Sequence, residues 1–357
     1  MMRRWKAFGK AVAGLCLAVS VSACANGMDF LADLGARNPA SSGLVGDGKS
    51  PGSVEGKPSD PAEQPSFVSL YQTSLGPMLY RSGKLYSLAT GVPKEWGPAP
   101  RAAMAWSLSM VSDHEGWSVG AEGISHYKNQ VWASVINSSH HLLAPASNQG
   151  SAIQLTDVAF ADASSGYAVG THGTVLRYAD GEWSRVSDAT LKGQHFGTVR
   201  LWGASEVWVA GEDVLRFDGS AWESIGLPEA GAAVSGLLVQ SDAVWASTGD
   251  ALWRWDRNSR AWSRPQPDLV KGFVGAPQPV PGTSGTIRGW AMDVGTPGGI
   301  LYQLDNAGAW TRPTVSEPPT VGLDSLVMLD EDTGYALSFD GFALYKVDRG
   351  TWSRLSE

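Results

Sequence analysis

Seven tryptophans recur along the chain at near-regular spacing: Trp96, Trp132, Trp183, Trp222, Trp262, Trp310 and Trp352, separated by 36, 51, 39, 40, 48 and 42 residues. Turns of one kind precede several of them: "YADGEW", "FDGSAW", "LDNAGAW" and "VDRGTW". About a dozen residues earlier stands a second recurring element. It reads "EGWSVG" at Glu115, "SGYAVG" at Ser165, "SEVWVAG" at Ser205, "DAVWAS" at Asp242, "RGWAM" at Arg288 and "TGYALS" at Thr333. Before it lies an apolar run such as "LTDVAFAD" or "LDSLVMLD". Four short strands in each repeat of roughly 40 residues is the pattern of a propeller blade.

The expected fold is therefore all-β, a seven-bladed β-propeller over residues 67–357, with the repeats ending by 355. The aromatic of each second strand and the tryptophan of each fourth strand are expected to pack between blades. The first unit, "FVSLYQTSLGPMLYRSGKLYSLATGVPKEW", is the least regular and lacks the Gly-aromatic element. Six blades preceded by a strand-donating segment is thus the alternative. A β-sandwich does not explain four-strand units recurring in register.

The amino terminus has a different character. Arg3, Arg4, Lys6 and Lys10 precede an apolar stretch, residues 11–21, that is too short to span a bilayer. Val21-Ser22-Ala23-Cys24 resembles the bacterial lipobox. That resemblance implies cleavage before Cys24, a diacylglycerol on its sulfur, an acylated new amino terminus (palmitate or a similar chain), and a lipoprotein. Residues 1–23 are then a signal peptide. Ala25 stands where an Asp would favour inner-membrane retention, so the resemblance points to the outer membrane. The other cysteine, Cys16, lies in the signal, so the exported domain has no disulfide and must rely on its core. Residues 24–66 are dominated by Gly, Ser, Pro and charge, and read as a flexible tether with an r.m.s. span of roughly 35 Å.

Cleavage removes four basic and no acidic residues, taking the formal net charge from −8 to −12. Such a surface disfavours nucleic acid, which is bound by neutralising its phosphates.

"DVAFADASSGYAVGTHGTVLRYADGEW" resembles the repeat of photosystem II assembly-factor-type propellers, which belong with the sialidase-type, Asp-box-bearing repeats. The resemblance covers the middle and last blades. It implies the propeller fold and says little of activity, because propellers host many. A sialidase Asp box has Ser or Thr two residues before its Asp. Here the residues two before Asp218, Asp256, Asp305 and Asp348 are Arg216, Arg254, Gln303 and Lys346. The boxes are degenerate and mark a turn. The basic client-binding patch of the assembly factors is not readable in so acidic a chain.

No catalytic residue, metal site or cofactor is assigned. His140 and His141 are the only close pair among six histidines, and neighbours in a strand point to opposite faces. Propeller topology gives a better lead. Loops from second to third strands share a face with the connections between blades. The former carry Glu122, His172, Glu212 with Asp213, Asp250, Asp293 and Asp340, a mostly acidic ring around one channel mouth. Asp and Gly are also simply good turn formers. Two connections are long, 136–151 and 264–283, and are expected to project from this face. The second would expose Leu269, Val270, Phe273 and Val274, with Phe273 as an apolar contact. The expected function is a lipid-anchored, monomeric binding or assembly scaffold of the bacterial cell envelope, with a protein or polysaccharide partner. The alternative is a glycan-acting hydrolase or lyase with a site assembled from several blades.

Overall fold

The computed structural model describes residues 68–100, 105–144, 152–203, 205–270, 272–280, 286–341 and 343–355. The expected signal peptide (1–23), the expected tether (24–66) and Cys24 lie outside the described residues. Seven antiparallel sheets follow one another, each taking its strands in chain order from the channel outward. Blades 1 to 7 occupy residues 68–98, 105–137, 155–185, 196–224, 236–263, 273–311 and 323–355. The innermost strands touch in sequence around a ring, and that of blade 7 meets that of blade 1. Blade 1 has four strands of its own, which rules out the six-blade alternative. Side chains close the ring without a shared strand. Gln72 Oε1 accepts from Met328 N at 2.9 Å, and Tyr335 OH donates to Leu88 O at 2.9 Å.

Each of the seven repeat tryptophans lies in the fourth strand of a blade. Second-strand aromatics fill the seams. Trp117 of blade 2 stacks on Phe160 of blade 3 with centroids 3.7 Å apart, Trp208 of blade 4 meets Trp255 of blade 5 at 5.2 Å, and Trp245 of blade 5 meets Trp310 of blade 6 at 5.6 Å. Trp117, Trp208 and Trp245 are essentially fully buried. The core is thus a series of apolar layers between blades, each held by large rings that bury about 150–250 Å² apiece.

The glycine that closes the Gly-aromatic element has a steric cause. A Cβ at Gly170 would stand 2.0 Å from Gln154 O, and one at Gly211 would stand 2.1 Å from His195 O. The connection entering each blade passes too close for any side chain.

The described parts of 264–283, residues 264–270 and 272–280, do not project, and residues 271 and 281–283 lie outside the described residues. Phe273–Val274 and Gln278–Pro279 pair with Ile287–Val294 and form the split inner strand of blade 6. Val274 is buried and Val270 nearly so. Phe273 packs over the loop of blade 5, where a Cβ on Gly249 would meet its ring at 3.0 Å. Ala276 lies against the inner strand of blade 5, where a Cβ on Gly236 would be 2.2 Å from its own. The inner edge of Ile287–Val294 needs hydrogen-bond partners. Pro277 and Pro279 lack N–H donors and limit that pairing to two short pieces. In 136–151, residues 145–151 lie outside the described residues. The rest forms a 3₁₀ turn, His141–Leu143, with Leu143 buried. His140 and His141 are not in a strand: His140 caps this turn, and the two rings are 4.3 Å apart.

Candidate binding face and central channel

The loops expected to share a face do so. Glu212 N donates to His195 O at 3.1 Å and Phe339 N to Gly322 O at 2.8 Å, each joining a second-to-third-strand loop to an inter-blade connection. Glu122 and Asp250 are exposed in these loops. Glu212 Oε2 accepts from His195 N at 2.8 Å. Asp213 accepts from Val214 N at 2.8 Å and Ser224 Oγ at 2.7 Å, and Asp340 accepts from Ser338 Oγ at 2.5 Å. Several of these carboxylates therefore serve their own turns, as turn-forming residues do.

His172 has a left-handed backbone (φ 58°) and its ring centroid lies 5.3 Å from that of His195. Burial first, then His195 and Arg185, holds its imidazole below the usual value. Among the described residues, no three His, Cys, Asp or Glu side chains are grouped so as to hold a metal.

Two of the expected face residues lie in strands instead of loops. Phe273 belongs to the inner strand of blade 6. Asp293 lies within Ile287–Val294, paired with Val274, and is 1% exposed. Its Oδ2 accepts from Tyr302 OH at 3.4 Å, and burial raises its carboxyl above the ordinary value. The strand simply runs longer than the sequence pattern implied, carrying Asp293 out of the loop and into the blade.

The degenerate Asp boxes are turns held by their own aspartates. Asp218 Oδ1 accepts from Ala221 N, Ser220 Oγ and Ser220 N, which hold its carboxyl at about 2. Asp256 is held at about 2 in the same way, first by Ser259 N and then by Arg254, whose Nη1 lies 2.6 Å from Oδ2. The basic residues that replace Ser or Thr are thus ion-pair partners of the turn, at Arg254 and again at Lys346, 3.0 Å from Asp348.

Arginines collect on the opposite face, across blades 4 to 6, each paired with acid. Glu206 accepts from Arg257 Nη1 at 2.8 Å, and Asp242 from Arg288 Nη2 at 2.5 Å. Arg216 and Arg260 both reach Glu223, at 3.1 and 2.6 Å. These pairs tie blade 4 to blade 5 and blade 5 to blade 6.

The inner strands enclose a channel cavity of about 330 Å³. In blades 2, 3, 4 and 7 the pairing of first with second strand skips a residue at the start of the first strand: Trp106, Thr156, Gly197 and Asp324 respectively. Such bulges re-aim side chains, and these residues and those after them face the channel or its seams. Thr156 Oγ1 donates to Phe196 O of blade 4 at 2.6 Å. Asp157 ties three blades together. Its Oδ1 accepts from Ser107 Oγ of blade 2 at 2.6 Å, and its Oδ2 from Thr198 Oγ1, Val199 N and Arg200 Nη1 of blade 4 at 3.1, 2.8 and 2.7 Å. In blade 7 the matching pair is Asp324 and Ser325. Asp324 Oδ1 and Ser325 Oγ are buried and bond to nothing among the described residues. Burial pushes the Asp324 carboxyl up to about 7.

Asp157, Arg200 and Asp324 were not singled out from the sequence. "LTDVAFAD" and "LDSLVMLD" read as apolar runs, and the signal was the lone charge near the start of each.

No family model matches the chain, and no curated protein matches it. Solved structures do. The chain is similar to YCF48 bound to D1 peptide at 20% identity, over 69% of this chain and 80% of that one, with a TM-score of 0.51. It is similar to YCF48 from Cyanidioschyzon merolae at 14% identity, over 70% of this chain and 84% of that one, with a TM-score of 0.52. It also resembles the extracellular domain described as part of the hybrid two component system BT3049 of B. thetaiotaomicron, at 8% identity over 79% and 40% of the two chains, with a TM-score of 0.54. At these identities the likeness is one of fold, and the chain is a seven-bladed β-propeller.

Proposed function

We propose that this chain is a lipid-anchored propeller of the bacterial cell envelope that works as a binding scaffold for a protein segment, presented to its partner on the carboxylate-bearing face. The observation that carries the reading is the rigid presentation of that face. Glu212, Asp213 and Asp340 are fixed by hydrogen bonds to their own loops or neighbouring connections, and Glu122 and Asp250 stand exposed beside them. Long-range attraction to a basic segment then needs no reordering of the loops. A propeller of similar fold, YCF48, has been solved with a peptide bound, which supports a peptide as the partner class. The lipobox resemblance at Cys24 and the Gly/Ser/Pro-rich stretch after it support the anchor, and Ala25 supports an outer-membrane location.

Glycan hydrolysis by a carboxylate pair is the weaker reading. Among the described residues the channel holds two carboxyls and an arginine, but Asp157 already accepts from Ser107, Thr198, Val199 and Arg200. One remaining carboxyl cannot divide the acid and nucleophile roles that such chemistry needs.

The test has two arms. Wild-type chain is expected in the detergent-soluble membrane fraction, and Cys24→Ser in the soluble fraction without acyl label. Affinity capture from membranes is expected to return a partner with wild type and to lose it with Glu122→Lys/Asp250→Lys. A soluble, unacylated wild-type mature chain overturns the anchor. Undiminished capture by the double variant overturns the face.

A further inference from the structure

The four inner-strand bulges make a set of repeated positions with unequal partners. The residues after the skipped ones in blades 2, 3 and 4 are Ser107, Asp157 and Thr198, and all three belong to one hydrogen-bond network. Thr156 bonds to blade 4. The blade 7 pair differs: Asp324 and Ser325 sit side by side on the channel wall, each with a buried oxygen that nothing among the described residues satisfies. Asp293 Oδ1 is also unpartnered, but it lines no part of this cavity. Native proteins rarely leave buried polar atoms in this state without a water, ion or ligand to meet them.

We propose that Asp324 and Ser325 form a cation subsite in the central channel that takes a primary alkylammonium group, supplied by a free amine or by a lysine side chain. An ammonium carries three donors on a compact head and suits one carboxylate with a neighbouring hydroxyl. A metal ion would want more ligands than the described residues group together. Around the same cavity, Leu70, Met292, Val294 and Val327 offer an apolar wall for a short alkyl stem. Among the described residues, the only other charged groups lining the channel, Asp157 and Arg200, neutralise each other at 2.7 Å. The cavity, about 330 Å³, is at the lower end of ligand-site sizes and matches a small head and stem. This subsite goes beyond the binding face and stands on different residues.

The test titrates full-length protein, its methionine methyls labelled with carbon-13, with n-butylammonium, and follows the Met292 methyl by NMR. Saturable shifts are expected for wild type, at least tenfold weaker binding for Asp324→Asn, and a smaller weakening for Ser325→Ala. Binding should tighten from pH 6 to pH 8 as Asp324 ionises. Tyr71 of blade 1 also lines the cavity, but its hydroxyl donates to Ala105 O of blade 2 and burial keeps it protonated throughout, and Asp157 stays paired with Arg200. Neutral n-butanol should give no saturable shift. The peptide Gly-Lys-Gly tested against its norleucine counterpart tells the sources apart: tighter binding than butylammonium assigns a lysine side chain, weaker binding a free amine. An unchanged methionine spectrum elsewhere shows that each variant is folded. Equal binding by Asp324→Asn, equal binding of butanol, or no saturation with any amine overturns the subsite. Partner capture by Asp324→Asn keeps the two readings separate: capture retained while amine binding is lost fails only the link between them, and capture lost in the face variant alone leaves the subsite intact.

Discussion

On one side of the central channel, Asp157 is met by donors from two neighbouring blades and by Arg200 at 2.7 Å. On another, Asp324 occupies the bulge of blade 7 with a buried oxygen that no group among the described residues meets. Both residues are aspartates at adjacent frames of the same repeat. The difference lies in what the next blade offers. Blade 4 follows blade 3 with its own bulge, which supplies Thr198, Val199 N–H and Arg200. Blade 1 follows blade 7 with a first strand, Val68–Thr73, that pairs without a skip and presents no such donors to Asp324. A carboxylate in the first setting is part of the frame, and one in the second is available to something that enters.

The largest effect that would sharpen this contrast is expected from Asp157→Ala. It leaves Arg200 and several donors without their acceptor, and urea unfolding should show a loss of about 3–5 kcal/mol. Little or no loss would mean that the three-blade network is dispensable, and the contrast would collapse. Next is Asp324→Asn, with the opposite sign. Burial raises this carboxyl from 3.8 to about 7, so its contribution is full below the unfolded value, declines as pH rises, and is gone above about 7. The whole decline is at most about 4 kcal/mol, at 1.36 kcal/mol per pKa unit. Asp324→Asn should be more stable than wild type at pH 8, with the slope between pH 4 and pH 7 removed. Parallel pH profiles would break the comparison from the other side.

Thr156→Ala should cost less, about 1–2 kcal/mol, through loss of the bond to Phe196 O. The smallest effect on stability is expected at the exposed face. Glu122→Lys should change it by no more than about 0.5 kcal/mol while weakening partner capture. A large destabilisation there would show that the residue serves the frame.

The period was legible because Trp117, Trp208 and Trp245 and the fourth-strand tryptophans are set by the geometry of the seams. A ring that fills a gap between two blades must recur once per blade. The turns were legible for the same reason at smaller scale, with Asp218 and Asp256 each binding two or three groups of its own loop. Blade 6 was not. Its inner strand is two dipeptides around Gly275, Ala276 and Pro277, and the prolines hid the alternation that marks a strand. Asp293 was misplaced with it. Asp157 and Asp324 were hidden differently. Within one blade each is a lone charge in an apolar run, and its meaning depends on residues of the adjacent blade, some 40 positions away: Arg200 lies 43 positions from Asp157. Nothing local in "LTDVAFAD" or "LDSLVMLD" says which aspartate will find a partner.

Carbon-13 carboxyl NMR of aspartate-labelled full-length chain, titrated with and without n-butylammonium, tests the contrast most directly. The account predicts an Asp324 midpoint near 7 that falls when the amine is added, while the Asp157 carboxyl signal at fixed pH is not moved by the amine. An Asp324 midpoint near the ordinary carboxylate value, unmoved by the amine, would contradict it.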